Sequence, residues 1–441
     1  MLFKTEYKNK LLKIFVPIML SNLISQIQMV IDRVFLGRMS NLYMSAVGNA
    51  TAPVWTTMSF IFSLSMGSSI LISQSVGEKN IDKAKSYAAS LIKFHNVAPI
   101  LLFFFWTFCS PLVFRLMGVS ENVMGLCVKY TRIYAPVFLI LGLFASYSVV
   151  FQTSNYTKPL VTYGIIRSGL NIILDYLLIF GKFGFPKMEI AGAALGTTIA
   201  EYAGALYLLY ITITRRKKFF TSPGLKTIIH ADISQYFHSI KLGVPTACED
   251  LLWNLGNLLI IKILNKINEQ AAGIYTMVFT LEILIVVIIG ALGNGTLTLT
   301  GEATGAKDHK LYRNIVKTAI RWAFLVSAAA LIFVSIFPRL TLSLFTKDAE
   351  IIEMSVTFVI LVAINLFGKS GNIILGSGIR GYGDTKWMLF TQILGTFSVV
   401  GIAALCVFVF KLGILGVFIA VLCDEGSRAL INFARFIRIK F

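Results

Sequence analysis

A chain of 441 residues that is 56% hydrophobic and only 14% charged lies outside the composition of soluble globular domains and within that of polytopic membrane proteins. The formal net charge of +19 would suit a nucleic-acid partner if the basic residues shared one face or tail. They sit instead in short breaks between apolar runs, so the charge is assigned to membrane orientation and no nucleic acid is expected.

The mean hydropathy of +0.77 agrees with this class. Five scattered cysteines without a CxxC pair, and four histidines without ligand spacing, give no disulfide framework and no zinc site, and no cofactor is expected. The opening MLFKTEYKNK leads into a run too long for a signal-peptide core, so it is expected to be retained.

The first apolar run, Leu11 to Gly37, is long enough to cross a bilayer as a helix, which takes about 20 residues. It nevertheless carries Asn22, Gln26, Gln28 and a carboxylate, Asp32. A charge at that depth costs roughly 2.5–3.5 kcal/mol on insertion scales, so a helix keeps one where it faces protein or water and has a function.

Further apolar windows follow near 46–73, 88–112, 123–150, 160–181, 190–213, 236–264, 270–297, 315–338, 350–376, 387–411 and 414–436, which makes twelve spans. An even number returns the chain to its starting side. Lys and Arg gather in the N-terminus (Lys4, Lys8, Lys10), after the second span (Lys79, Lys83, Lys85), after the sixth (Arg215, Arg216, Lys217, Lys218, Lys226), after the eighth (Lys307, Lys310, Arg313) and at the C-terminus (Arg435, Arg438, Lys440). The bias predicts a multi-pass protein of the plasma (inner) membrane with both termini cytoplasmic.

The longest polar break divides the chain into an N-terminal six-helix bundle (1–213), a cytoplasmic linker (214–234) and a C-terminal six-helix bundle (235–441). One offset of 228 aligns Pro17 with Pro245, Gly67 with Gly295, Gly77 with Gly305, Lys79 with Lys307, Thr157 with Thr385 and Lys158 with Lys386. The expected fold is therefore an all-α polytopic membrane protein whose two six-helix bundles are related by a pseudo-two-fold axis along the membrane normal. Such bundles can alternate access, which favours a transporter over a channel or an enzyme.

The fifth span places Arg167, Asn171 and Asp175 on one helix face at four-residue spacing. Rise per residue brings Asp32, late in the first span, Asp175, late in the fifth, and Thr197, early in the sixth, to similar depth. Two carboxylates, an amide and a hydroxyl suit a small hard cation, and Asp32, Asn171, Asp175 and Thr197 form a candidate Na+ site. The same pair of acids could hold a proton. The structural alternative pairs Asp32 with Arg33 or Arg38 and Asp175 with Arg167.

PIMLSNLISQIQMVIDRVFLG, NIILDYLLIF with AGAALGTTIA, and RGYGDTK, in this order, resemble the MATE (multidrug and toxic compound extrusion) transporters, and the bacterial and archaeal branch in particular. The resemblance implies a cation site at Asp32, Asn171, Asp175 and Thr197. It also implies export of small organic cations or amphipathic drugs in exchange for sodium ions or protons. Pro17 matches a proline at which some members are proposed to bend the first helix when its Asp is protonated. In the second half the seventh-helix Glu of some members is replaced by Trp253, with Glu249 one turn earlier and Asp250 beside it, while Asp384 matches the family's Asp.

Glu249, Asp250, Trp253, Glu282 and Asp384 are therefore candidates for a C-lobe cation or substrate site. Glu282 has two readings, recognition of a substrate cation or pairing with a nearby base. Asp424, Glu425 and Arg428, like Glu201, read as an internal ion-pair lock. Trp253 offers a ring for cation–π attraction. The chain is expected to act as a monomer in contact with membrane lipid, and not as an enzyme, since the acids lack the local motifs of an intramembrane protease and no nucleophilic triad is present. A flippase for lipid-linked sugars is the alternative function.

Overall fold

In a computed structural model that describes residues 3–215, 218–267 and 269–440, the chain is built from helices. Their order is α1 (Phe3–Met39), α2 (Asn41–Gly77), α3 (Ile81–Phe94), α4 (Val97–Leu116), α5 (Glu121–Tyr134), α6 (Phe138–Thr153), α7 (Lys158–Phe180), α8 (Ile190–Thr214), α9 (Leu225–Ile229), α10 (Ile233–Leu264), α11 (Glu269–Gly305), α12 (His309–Ile336), α13 (Pro338–Ser343), α14 (Ala349–Tyr382), α15 (Thr385–Ala404) and α16 (Gly413–Arg438). Hydrocarbon offers no partner for a bare N–H or C=O, so long apolar segments close their own hydrogen bonds as helices.

The α3–α4 and α5–α6 pairs each occupy one predicted span, broken at His95 and Asn96 in the first and by a short 3-10 turn, Ala135–Val137, in the second. The described residues thus hold the twelve long segments read from the sequence. Ten of them are apolar enough over their length to cross a membrane. The other two, α10 and α16, are long enough but more polar, with Lys241, Glu249, Asp250 and Lys262 in one and Asp424, Glu425, Arg428, Arg435 and Arg438 in the other.

Several helices outrun the apolar windows. At 37 residues, α1, α2 and α11 extend about 55 Å, well beyond a hydrocarbon core of about 30 Å. Arg216 and Lys217, counted above among the basic breaks, lie outside the described residues.

The chain folds as two compact units. One comprises Val16–Ile72 with Asn80–Ala247, and the other Met1–Phe15, Ser73–Lys79 and Cys248–Phe441. Pro17 and Pro245, each inside a helix, lie within three residues of a point where the chain passes between units. The first unit has a core of Leu36, Trp106, Phe114, Phe138 and Ile179, and the second a core of Ile260, Leu264, Tyr275, Val359 and Phe418. Large apolar side chains such as Leu101, Phe108, Leu206, Leu325 and Phe397 point outward, as a lipid-facing surface requires.

The repeat extends to backbone geometry. Left-handed residues recur at the same offset of 228: Lys79 with Lys307, Asn155 with Gly383, and Phe183 with Lys411. Asn80 caps α3 by accepting from Lys83 N at 3.0 Å, and its counterpart Asp308 caps α12 by accepting from Leu311 N at 2.8 Å. Close packing repeats too. A Cβ on Gly77 would meet Ala306 N at 2.9 Å, and one on Gly305 would meet Gln74 Cα at 2.9 Å, so the C-terminal ends of α2 and α11 cross backbone to backbone on glycine.

Candidate functional site

The site lies inside the first unit, on α1, α7 and α8. The loop between α7 and α8 turns at Gly181, whose φ of 66° closes α7 in a left-handed cap, and the two helices then run antiparallel. Arg167, Asn171 and Asp175 on α7 therefore face Glu201 and Thr197 on α8 as successive rungs. Gly192 lets α8 approach α7 closely, since a Cβ there would meet Leu178 C at 2.7 Å, and Gly196 leaves room for the Asp175 carboxylate itself.

Asn171 and Asp175 are completely buried, and Asp32 and Thr197 partly so. Asn171 Nδ2 donates to Asp175 Oδ1 at 3.2 Å and to Thr197 Oγ1 at 3.1 Å, and Thr197 donates onward to Ala193 O at 2.9 Å. Gln28, one turn before Asp32, donates from Nε2 to Asp32 Oδ2 at 2.9 Å and to Asn171 Oδ1 at 2.5 Å, and it accepts from Ser168 Oγ at 3.2 Å. The four predicted side chains thus meet, joined by a fifth, Gln28, that the sequence reading left without a role. Its spacing of four from Asp32 was the available signal.

The predicted ion pairs take a different form. Arg167 binds Glu201 Oε1 at 2.7 Å, not Asp175, and also donates to Ser25 Oγ at 2.6 Å, while Tyr163 donates to Glu201 Oε2 at 2.6 Å. Arg33 and Arg38 are exposed, and among the described residues no ion pair joins either to Asp32. Glu201 thus takes Arg167, and among the described residues no ion pair is made by Asp32 or Asp175. Their carboxyls are within hydrogen-bonding reach of each other, and Asp32 Oδ1 and Asp175 Oδ2 are buried with no donor.

Two carboxylates at such range repel by about 4 kcal/mol at 4 Å and an effective dielectric near 20. A single positive charge between them removes that repulsion. Among the described residues no three His, Cys, Asp or Glu side chains gather as a metal site, so the donor set is one of mixed oxygens. Of these, Asn171 Oδ1 and Thr197 Oγ1 already accept protein hydrogen bonds, which leaves the two carboxylate oxygens unclaimed.

The candidates in the second half sit differently. Glu249 is paired with Arg380, Glu282 with Lys369 at 2.9 Å, and Asp384 with Arg435 at 2.5 Å while also capping α15 through Trp387 N at 3.3 Å. Asp250 is half-buried, and its carbonyl accepts from Asn254 Nδ2 at 2.8 Å. Trp253 is half-exposed and packs 6.2 Å from Phe279. The acids at Glu249, Glu282 and Asp384 are thus held by Arg and Lys side chains. Of the two readings of Glu282, the geometry is that of a pair with a base. Lys369, a lone cation in an apolar window, was the overlooked partner.

The sequence profile of the MatE family matches residues 17–177 and again 245–418, two copies that begin at Pro17 and Pro245. The chain belongs to the MATE family. This MATE protein is 26% identical over 99% of its length to a Thermotoga maritima protein named probable multidrug resistance protein NorM, of which 93% is covered. It is 25% identical over 82% of its length to the multidrug export protein MepA of Staphylococcus aureus, of which 79% is covered. Its fold matches, with a TM-score of 0.89 and 20% identity over 98% of this chain and 95% of the other, a structure described as the outward-facing conformation of a multidrug resistance MATE family transporter. The MATE fold has twelve helices in two bundles, so the architecture and the multi-pass membrane character expected from composition hold.

Proposed function

We propose that this MATE protein exports small organic molecules, cationic or amphipathic, across the bacterial inner membrane by alternating access, and that Asp32 and Asp175 couple export to inward movement of a cation. The names of the relatives, multidrug resistance and multidrug export proteins, support efflux. The observation that carries the coupling role is the pair of adjacent carboxyls, each with a buried oxygen that accepts no hydrogen bond.

Two unclaimed oxygens are enough for a shared proton. A sodium ion would need Asn171 and Thr197 to turn their oxygens inward, giving up the bonds to Gln28 and within the amide–hydroxyl pair. The geometry therefore favours a proton as the coupling ion, with sodium as the second occupant of the same place. Either cation lowers the charge of the pair from −2 to −1, relieves the repulsion and lets α1 repack against α7. Pro17, which removes a backbone hydrogen bond inside α1, is the point where that helix would bend. The termini are assigned to the cytoplasm on the basic-loop bias.

The test is transport in proteoliposomes with a proton gradient and a sodium gradient imposed separately, using a cationic dye as reporter. Export driven by the proton gradient alone, and lost in Asp32→Asn and Asp175→Asn, is expected. Gradient-driven export that persists in either well-incorporated variant would remove the coupling role.

A further inference from the structure

Between α8 and α10 the chain carries the short helix α9, on which Leu225 and Ile229 stand one turn apart on the same face. They are 71% and 57% exposed, so this face is not turned to the core. Lys226 and His230 form the adjoining edge, also one turn apart and exposed. The apolar row continues at the same spacing into α10 with Ile233 and Phe237, both exposed. From Arg215 to Lys241 the sequence has six Lys or Arg and one acid, Asp232. That carboxylate accepts from Ser234, through N at 2.9 Å and Oγ at 2.6 Å.

The depth of this face decides what it can meet. Lys93 Nζ, at the end of α3, donates to Ile229 O at 2.6 Å and to Ala231 O at 3.2 Å, which satisfies carbonyls that the end of a short helix leaves bare. Four residues later α4 begins at Val97, and its 20 residues rise about 30 Å, the thickness of a hydrocarbon core. From Val97 to Leu112 the exposed side chains of α4 are apolar, as contact with acyl chains requires, and Arg115 marks the far boundary. Lys93 therefore lies at the near edge of the hydrocarbon, and its two hydrogen bonds hold α9 at that level.

A soluble protein or a nucleic acid would need the face to stand in open water, where Leu225 and Ile229 would be exposed at a cost. A membrane surface uses both parts of it. Aliphatic side chains enter the boundary between head groups and acyl chains, while Lys and Arg meet negative head groups, the arrangement of interfacial amphipathic helices. The electrostatic attraction acts within a Debye length, about 10 Å at 0.1 M salt, which a segment held in the head-group layer satisfies. Zwitterionic lipid would serve the apolar row alone; six bases against one acid that already has its donors call for anionic lipid.

We propose that the segment 215–241 is an anchor of the first unit that binds anionic lipid, with Leu225 and Ile229 seated in the head-group boundary and Lys218 and Lys226 on lipid phosphates. The inference depends on the membrane-spanning character of the chain, not on which cation couples export or which side of the bilayer the segment faces.

The experiment is quenching of tryptophan emission by brominated lipid in nanodiscs that hold full-length Leu225→Trp, with the wild-type signal subtracted to remove the five native tryptophans. The discs contain phosphatidylglycerol and phosphatidylcholine in equal amounts, with bromine near the head-group end of the acyl chains of one lipid or of the other. The added emission is expected to be quenched by both, and at least twofold more by brominated phosphatidylglycerol. Lys218→Gln combined with Lys226→Gln is expected to abolish that preference while quenching persists. Ile229→Trp is the companion probe in case Leu225→Trp perturbs the turn, and it is expected to give the same result. Emission from both probes that responds to acrylamide but to neither brominated lipid would place the face in water, as for a soluble partner, and overturn the proposal. Equal quenching by the two lipids, or a preference that survives the double lysine substitution, would overturn it too. No transport is measured, so failure of the efflux or coupling reading leaves this outcome unaffected.

Discussion

Gln28 Nε2 lies 2.5 Å from Asn171 Oδ1 and 2.9 Å from Asp32 Oδ2, so one amide ties the acid of α1 to the helix that carries the other acid. Among the described residues no donor reaches the other oxygen, Asp32 Oδ1. A hydrogen bond to a charged group contributes about 1.5–3 kcal/mol, and 1.4 kcal/mol is a factor of ten. Gln28→Leu should therefore lower gradient-driven export about tenfold or more and also lower the melting temperature, since Asn171 Oδ1 and Ser168 Oγ lose a buried partner, while insertion is retained. Initial rates in proteoliposomes, normalised to incorporated protein, give the answer, and full activity in this variant would show that Asp32 is positioned by something else.

Gly196 makes a separate demand. A Cβ there would run into the Asp175 carboxylate and meet Asp175 N and Leu174 Cβ at 3.3 Å each. Gly196→Ala should displace the carboxylate and uncouple export from the ion gradient, while the protein stays folded because the collision is mainly with a side chain. At Gly192 the collision is with backbone, Leu178 C at 2.7 Å and Ile179 N at 2.9 Å, so Gly192→Ala should instead separate α7 from α8 and lower the melting temperature. Transport and thermal unfolding measured on both variants distinguish the two effects.

These relationships show which parts of the molecule can be read from sequence. The repeat and the twelve segments follow from local features, since apolar length and the matched landmarks at one offset survive without knowledge of the packing. The meeting of Asp32, Asn171, Asp175 and Thr197 was also legible, because helical periodicity and rise fix both face and depth. The partner of Arg167 was not. A long side chain reaches several neighbours, and the choice of Glu201 depends on the register between α7 and α8, which the Gly181 turn sets in three dimensions. Lys369 was missed for a similar reason. Its partners come from α11 and α16, and no short connection fixes the register of those helices against α14.

Lys369 yields a stability prediction. Its ammonium is buried between Glu282 and Glu425, and removing one member of a buried ion pair leaves an uncompensated charge at a cost of about 3–5 kcal/mol, whereas replacing the pair by apolar groups of similar size is often close to neutral. Lys369→Met alone should lower the melting temperature in detergent sharply, and Glu282→Gln combined with Lys369→Met should recover most of the loss. A double variant as unstable as the single one would mean that Glu425, not Glu282, is the principal partner.

The repeated turns lead to a prediction of opposite sign. Lys79 and Lys307 both adopt left-handed backbone, with φ of 60° and 54°, immediately before the caps Asn80 and Asp308. For a residue with a Cβ that conformation costs roughly 1–2 kcal/mol, and glycine is free of the clash. Lys79→Gly and Lys307→Gly should each raise the melting temperature, although glycine's greater freedom in the unfolded chain offsets part of the gain. The next residue should respond the other way: Asn80→Ala and Asp308→Ala remove a capping hydrogen bond worth about 1 kcal/mol and should each lower it. Because the two turns are structural copies, the shifts should match between halves. Thermal unfolding of all four variants in one detergent is the measurement, and a glycine variant less stable than wild type at either position would mean that the lysine side chain contributes more there than its backbone strain removes.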